Sequence, residues 1–215
     1  MIGKDSILSG LIKITAPEDL GASIITPTLA ELCKKHSDLK FEVLYSNQVI
    51  DLIKDGFDLA VRIGELKDSQ LKSQKLGELK LILVASPRYL SKNKIKTPDD
   101  LISADCLSIS SHYSKTHWKL KSSKNRKTLS FESKVVCNQM TSLMKLAEKG
   151  AGIALIPSYL CTSKLKDKTL HHVLSDYHEE GYPVWMLSPH SIHNSAKIKV
   201  LTTELKQNMA PVLGK

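Results

Sequence analysis

The stretch from Leu44 to Pro87 constrains the fold more than any other part of the chain. Asp51-Leu52-Ile53-Lys54-Asp55-Gly56-Phe57-Asp58-Leu59-Ala60-Val61-Arg62-Ile63-Gly64 reads as helix, αL stop, and a buried strand over Leu59 to Ile63. A short apolar run bounded by turn residues is what a strand covered on both faces of a parallel sheet requires. Val84-Ala85-Ser86-Pro87-Arg88-Tyr89-Leu90 then reads as a strand that crosses into a helix, after which the strand–helix pattern restarts. The restart predicts two lobes, and 215 residues, 41% of them apolar, are enough for two lobes of about 100 residues each.

The remaining elements follow from local signals. Leu11 to Thr15 is a strand that turns at Ala16-Pro17-Glu18-Asp19 into a helix from Asp19 to His36, which Pro27 should kink or restart. Leu39 to Tyr45 is a strand with Phe41, Val43 and Tyr45 on one face, and Ser46-Asn47 caps a helix from Gln48 to Lys54. Leu71 to Leu76 and Lys80 to Ala85 are two strands, Pro98 to Leu101 is a helical turn, and Leu107 to Ser110 is another strand. Thr116 to Leu120 with Thr128 to Cys137 forms a long hairpin, Asn138 caps a helix to Lys149, and Gly152 to Ile156 is a buried returning strand. Pro157 leads a short helix through the second crossing, Pro183 to Ser188 is the last strand, and Ser195 caps a final helix to about Met209. The expected organisation is a linker remnant at 1–9, one lobe from 10–85 and 158–215, and a second lobe from 86–157.

Gly10-Leu11-Ile12-Lys13-Ile14-Thr15-Ala16-Pro17, the Asp51 to Gly64 phrase and Gly150-Ala151-Gly152-Ile153-Ala154-Leu155-Ile156-Pro157 occur in order and at familiar spacing. With them the chain resembles the effector-binding domain of LysR-type transcriptional regulators, from about Gly10 to the last helix. The resemblance implies an α/β fold of two Rossmann-like lobes joined by two crossing strands, similar to type 2 periplasmic binding proteins. Members of that family begin with a winged helix-turn-helix and a linker helix. The N-terminal DNA-binding domain is absent here, so the chain is expected to be the sensory half of a bacterial regulator, cut in the linker.

The formal charge of +9 is unevenly spread. Residues 1–84 hold 11 Lys/Arg against 12 Asp/Glu, whereas residues 85–158 hold 13 against 5. Lys115, Lys119, Lys121, Lys124, Arg126 and Lys127 crowd one acid-free stretch with Ser122-Ser123 and Asn125, which is the chemistry of a solvated hairpin. Few aromatics accompany it, so no stacking platform for single-stranded nucleic acid is evident. There is neither an apolar run of membrane-spanning length nor a secretion signal, and a cytoplasmic location is expected.

Catalytic motifs such as G-x-S-x-G, the P-loop and H-E-x-x-H do not occur, so no enzyme activity and no cofactor are expected. His171-His172 point to opposite faces of a strand, and His112, His117, His178, His190 and His193 lie in loops or beside turns, the usual surface setting; no metal site is expected. Cys33, Cys106, Cys137 and Cys161 lack metal-ligand spacing and read as small buried residues of a reducing cytosol. Because some regulators of this family switch through a disulfide, a redox-gated pair of Cys106 and Cys137 is the minority alternative. A solute-binding protein or small enzyme on the same fold is another.

In a two-lobed α/β module, ligands sit between the lobes, outside the carboxyl ends of the parallel strands, where helix N-termini offer N–H groups to an anion. Pro17, Glu18 and Asp19 follow the first strand, Ser46 and Asn47 the second, and Asn138 and Gln139 the hairpin. The resemblance adds Gly64 and Glu65 and the loop Ser110 to Tyr113. The expected partner is therefore a small-molecule effector, for which anionic character fits the helix N-termini, although Glu18 and Asp19 would repel a carboxylate unless they face away. Arg62 is expected to form an internal ion pair with Asp58 or Asp51. The family pairs its domains antiparallel, which implies a homodimer or tetramer with Ile25, Leu29 and Leu32 against Leu143 and Leu146. It also implies promoter DNA held through the missing helix-turn-helix domain, and no membrane.

Overall fold

Strand pairing decides which residues this chain can bury. The computed structural model describes residues 8–66, 71–110, 112–190 and 195–214, with the backbone alone of Glu180. Most of the expected linker remnant, residues 1–7, and also Ser111 and His193, lie outside the described residues. In chain order come β1 (Gly10–Ala16), α1 (Glu18–Leu20), a π-helical turn (Gly21–Ile25), α2 (Thr26–Lys35), β2 (Leu39–Tyr45), β3 (Leu59–Ile63) and β4 (Lys72–Ala85). They are followed by α3 (Pro87–Leu90), a 3-10 turn (Pro98–Ile102), β5 (Cys106–Ile109), β6 (Lys115–Lys121), β7 (Arg126–Glu132), β8 (Val135–Cys137) and α4 (Met140–Glu148). The chain ends with β9 (Ile153–Pro157), α5 (Ser158–Lys166), β10 (His171–His172), β11 (His178–Ser188) and α6 (Ala196–Met209).

These elements form two compact units, Met1–Glu78 with Tyr182–Lys215, and Leu79–Gly181. The chain passes from one to the other inside β4 and returns inside β11, so two strands join the units. The crossings were expected at Ser86-Pro87 and at Pro157. They fall elsewhere because residues 79–85 pair with β9 and β10, and because Cys161 and Leu170 are buried in the same core cluster as Leu143 and Ala147. Residues 79–85 and 158–181, expected in the first lobe, therefore belong with the second.

In the first unit β1 lies between β2 and β3, parallel to both, and β11 pairs antiparallel with β3. The register puts Ile14, Leu59, Val61 and Met186 on one face of this sheet, all buried. Helix α6 packs on α2 and on the π turn through the same unit, with Ile198, Leu201, Leu205 and Met209 fully buried. Pro27 falls within the continuous helical run from Glu18 to Lys35, where it offers no N–H to the turn before it, and that turn widens to the π form with Thr26 N–H bonded to Gly21 O. Gly21 is buried against the Tyr45 ring; a Cβ there would lie 2.3 Å from Tyr45 Cδ1. No helix forms over 48–54. Instead the Asp51 carboxylate accepts from Ile53 N and Lys54 N, and Phe57 N bonds Leu52 O to close a single turn at Gly56. The two strands expected over 71–85 are one continuous strand, β4. On β2, Val43 and Leu44 are exposed, so the apolar face expected there is only partly covered.

In the second unit pairing runs β10–β4–β9–β5–β8, with β9, β5 and β8 mutually parallel and β4 antiparallel to β9 and β10. Alternation along these strands yields two cores. Leu81, Leu83, Ile153 and Leu155 pack with Trp118, Leu120, Leu129 and Phe131 of the β6–β7 hairpin, where Trp118 and Phe131 meet edge-to-face at 4.8 Å. Ile82, Val84, Ala154 and Ile156 pack with Leu143 and Ala147 of α4 and Cys161 of α5. The expected strand Thr128 to Cys137 is interrupted at buried Ser133, whose hydroxyl bonds Ser108 Oγ at 2.6 Å, so β8 leaves the hairpin and joins β5. His117 and His178 lie in strands rather than loops. Among the described residues no helix is long and apolar enough to cross a membrane.

Candidate functional site

Because β1, β2 and β3 run parallel, their carboxyl ends share one edge of the first unit's sheet, with Ala16 opposite Tyr45 and Thr15 opposite Ala60. The residues that follow those ends are therefore neighbours: Pro17, Glu18 and Asp19 after β1, Ser46 and Asn47 after β2, and Gly64 and Glu65 after β3. Ser46 N donates to Ala16 O at 2.8 Å, which ties two of the three loops together. Pro17 precedes α1 without capping it through a side chain, and Glu18 and Asp19 occupy the first turn. Ser46 caps no helix; its Oγ accepts from Gln48 N at 3.1 Å and stabilises a bend. Gly64 adopts φ +106, and its N–H donates to Pro183 O at 2.9 Å, holding the loop on β11.

The second unit repeats the arrangement with β5 and β8. Ile109 lies opposite Cys137, and Ser110 N donates to Cys137 O at 3.0 Å, so Ser110 and Asn138-Gln139 share one edge. The cap of α4 is Gln139 and not Asn138, because β8 extends to Cys137 and leaves Asn138 as an exposed link. Gln139 Oε1 accepts from Ser142 Oγ at 3.2 Å, while the Gln139 side chain caps no backbone N–H of the helix. The Ser110 to Tyr113 loop is anchored by the Tyr113 hydroxyl, which donates to Ser133 O at 2.9 Å.

Several expected contacts are different. Ile25, Leu29, Leu32 and Leu143 have 0%, 7%, 1% and 0% of their surface exposed, and Leu146 packs against the cluster around Leu143. Ile25, Leu29, Leu32 and Leu143 are core, so these four are corrected as dimer contacts, whereas Leu146 is half-buried; the exposed side of α2 carries Thr26, Pro27, Ala30, Glu31, Cys33 and Lys34. Arg62 pairs with neither Asp58 nor Asp51. Asp58 accepts from Lys13 N at 2.8 Å and Asp51 closes its own turn, whereas the Arg62 guanidinium donates to Thr15 Oγ1 at 3.2 Å and Val61 O at 3.3 Å. Burial lowers the pKa of Arg62, which remains cationic at neutral pH.

The pair proposed for redox gating is also excluded by register. Cys137 lies opposite Ile109, three residues along β5 from Cys106, which separates the two Cα atoms by roughly 10 Å, beyond the span of a disulfide at about 7 Å. Burial pushes the Cys106 and Cys161 thiols up to about 12, so neither forms the reactive thiolate near neutral pH. Among the described residues no three His, Cys, Asp or Glu side chains converge to hold a metal ion.

The LysR substrate binding domain family matches residues 6–210. The chain is 32% identical over 194 residues to an uncharacterised HTH-type transcriptional regulator of Haemophilus influenzae, covering 90% of this chain and 67% of that protein. It is 25% identical over 202 residues to the HTH-type transcriptional regulator PtxR of Pseudomonas aeruginosa, covering 94% and 65%. The chain thus spans about two thirds of the length of these curated relatives. Full-length AphB of Vibrio cholerae, a virulence activator, superposes with a TM-score of 0.80 at 29% identity over 92% of this chain and 68% of that one. The regulatory domain of CrgA from Neisseria meningitidis superposes at 0.82 with 19% identity over 94% and 100%. With the two-unit α/β fold, the strands that join the units and the matched span together, this chain belongs to the LysR substrate-binding domain family, the effector-binding regulatory domain of LysR-type transcriptional regulators.

Proposed function

We propose that the whole protein is a cytoplasmic, DNA-binding transcription regulator and that this chain senses a small-molecule effector rather than catalysing a reaction. Promoter DNA would be held through a helix-turn-helix domain, and the regulatory domains would assemble as a homodimer or tetramer. The observation that carries the reading is the gathering of Pro17, Glu18, Asp19, Ser46, Asn47, Gly64 and Glu65 at one sheet edge, with Ser110, Asn138 and Gln139 at the equivalent edge of the second unit. Carboxyl edges of parallel strands are where α/β proteins take ligands. An effector regulates by preferring one of the protein's conformational states, so its binding must also stabilise the folded domain.

A thermal-shift screen against metabolites, run beside Ser46→Ala and Asn138→Ala, tests this reading. The expected result is a rise of several degrees with one chemical class, reduced in both variants. No rise with any compound would remove the sensor reading. Analytical ultracentrifugation tests the assembly, for which a strictly monomeric chain at high micromolar concentration is the refuting outcome.

A further inference from the structure

One face of the first unit's sheet holds an unbalanced set of polar groups. The register aligns Thr15 with Ala60, Leu187 with Ala60, and Arg62 with Trp185, so Thr15, Arg62 and Trp185 share a face. Residues directly opposite across antiparallel strands have Cβ atoms about 5 Å apart, which makes Arg62 and Trp185 neighbours. Two other cations share this face: Lys13, matched by Glu42 at 3.1 Å, and Lys40, which is exposed to solvent on β2. Arg62 is not matched. Of the five N–H donors of a guanidinium, two reach Thr15 Oγ1 and Val61 O, and among the described residues no carboxylate pairs with it. On β11, across β3 from Thr15, the Trp185 Nε1–H is buried and has no acceptor among the described residues.

A half-buried cation without a counter-charge and a buried donor without an acceptor are each unfavourable, and folded proteins seldom keep either without use. Both lack the same thing: an acceptor with several lone pairs, of negative charge. A carboxylate supplies this and matches the planar fork of arginine. The apolar cluster of Leu52, Phe57 and Leu187, with Ile50 and Leu66 at its rim, borders Trp185 and suits the hydrocarbon part of an organic acid.

We propose that Arg62, Thr15 and Trp185 form the carboxylate-recognising point of the first unit, for a small organic acid. The inference rests on the sensor reading above and names its ligand class.

Thermal shifts with acetate, succinate and benzoate, each beside its amide at matched ionic strength, test the assignment in the wild-type chain, Arg62→Met and Trp185→Phe. The acids are expected to raise the melting temperature and the amides to leave it unchanged. Arg62→Met should abolish the rise while leaving the ligand-free melting temperature unchanged or higher, because it removes an unpaired charge and keeps the aliphatic stem. Trp185→Phe, which removes the indole N–H donor together with part of the ring packed on the Leu52, Phe57 and Leu187 cluster, should reduce the rise measured from that variant's own, somewhat lower, ligand-free melting temperature. An acid-dependent rise that persists in both variants overturns the assignment, as does an Arg62→Met chain that melts several degrees lower without ligand or fails to fold. No acid response in the wild type overturns it too, and the broader metabolite screen then decides the sensor reading separately: a response confined to neutral compounds sinks only the role of Arg62.

Discussion

Gly152 and Gly21 are both too close to a neighbour to carry a side chain, yet replacing them with alanine should have very different costs. At Gly152 a Cβ would lie 2.0 Å from Asp105 O and 2.9 Å from its carbonyl carbon. Relief requires a backbone shift of about 1.5 Å, since carbon contacts settle near 3.5 Å. That carbonyl accepts the Ile153 N–H at 2.8 Å beside the β5–β9 pairing, so the shift uncouples a buried bond at the head of the strand. The lost bond costs about 1–3 kcal/mol and the strain at φ +159 a similar amount, together about 2–6 kcal/mol. At about 2–4 °C per kcal/mol for a chain of this size, the melting temperature should fall by roughly 4–24 °C. At Gly21 the atom in the way is Tyr45 Cδ1, on a half-buried ring that can swing aside at the loss of one hydrogen bond, Thr26 Oγ1 to Tyr45 Oη at 2.7 Å. That loss of about 1 kcal/mol is largely offset by the gain of about 0.5–1 kcal/mol from replacing glycine in a helical segment. The chain has two tryptophans, Trp118 in the second unit and Trp185 in the first, so single-tryptophan versions follow each unit in urea unfolding. A Gly152→Ala chain that loses no more stability than Gly21→Ala would refute the principle used here, that the mobility of the obstructing atom sets the cost.

Other outcomes follow from single groups. Asn208→Ala removes the 2.9 Å bond from α6 to the buried Thr28 hydroxyl and should cost about 1 kcal/mol, measured by urea unfolding. His172 has a buried Nε2 with no partner among the described residues, and burial with Lys80 and His178 lowers its pKa, so below about pH 6.5 the unfolded chain takes up the proton first and stability falls on acidification. His172→Phe should flatten the melting temperature between pH 5 and 7; an unchanged slope would assign it to other groups. Burial lifts the Cys106 and Cys161 thiols to about 12, so above about pH 9 the unfolded chain loses those protons first and stability declines as pH rises. Iodoacetamide should accordingly label exposed Cys33 first in the native protein and Cys106 and Cys161 only after unfolding, read by mass spectrometry.

The fold was legible where a local signal had one physical meaning. Ser195 caps α6 through its bond to Ile198 N, Gly56 ends a turn with φ +70, and Leu59 to Ile63 forms a strand, each where the sequence predicts, although that strand is buried only over Leu59, Ala60 and Val61 and lies parallel to β1 but antiparallel to β11. It was illegible where the outcome depended on a distant partner. Nothing near Asn138 announces that β8 abandons the hairpin for β5, because the Ser133–Ser108 bond that accompanies the switch joins residues 25 apart. The helix expected over Gln48 to Lys54 has acceptable residues, yet the Asp51 carboxylate satisfies two backbone donors in one turn and leaves no gain from a longer helix.

The same division explains the candidate site. Loops after strands can be counted along the chain, and once the strands prove parallel their loops must gather at one edge; this is why Pro17, Ser46 and Gly64 come together without any of them being chemically unusual. An apolar stripe at helical spacing says only that a face is buried, not by what. Ile25, Leu29 and Leu32 are taken by their own sheet and α6, so the stripe holds no information about a second chain. Arg62 is the converse case. Two acids near it in sequence made an ion pair the economical expectation, but Asp58 is drawn to Lys13 N and Asp51 to its own turn, both bonds to backbone N–H groups that need no rotamer ordering of a long side chain. The guanidinium is thereby left on the sheet face opposite Trp185, a neighbour more than 120 residues away that only strand register reveals. A charge whose nearby counter-ions are both claimed by backbone is thus the one whose partner must come from elsewhere, and Arg62→Met, by removing that need, separates a binding cation from a structural one.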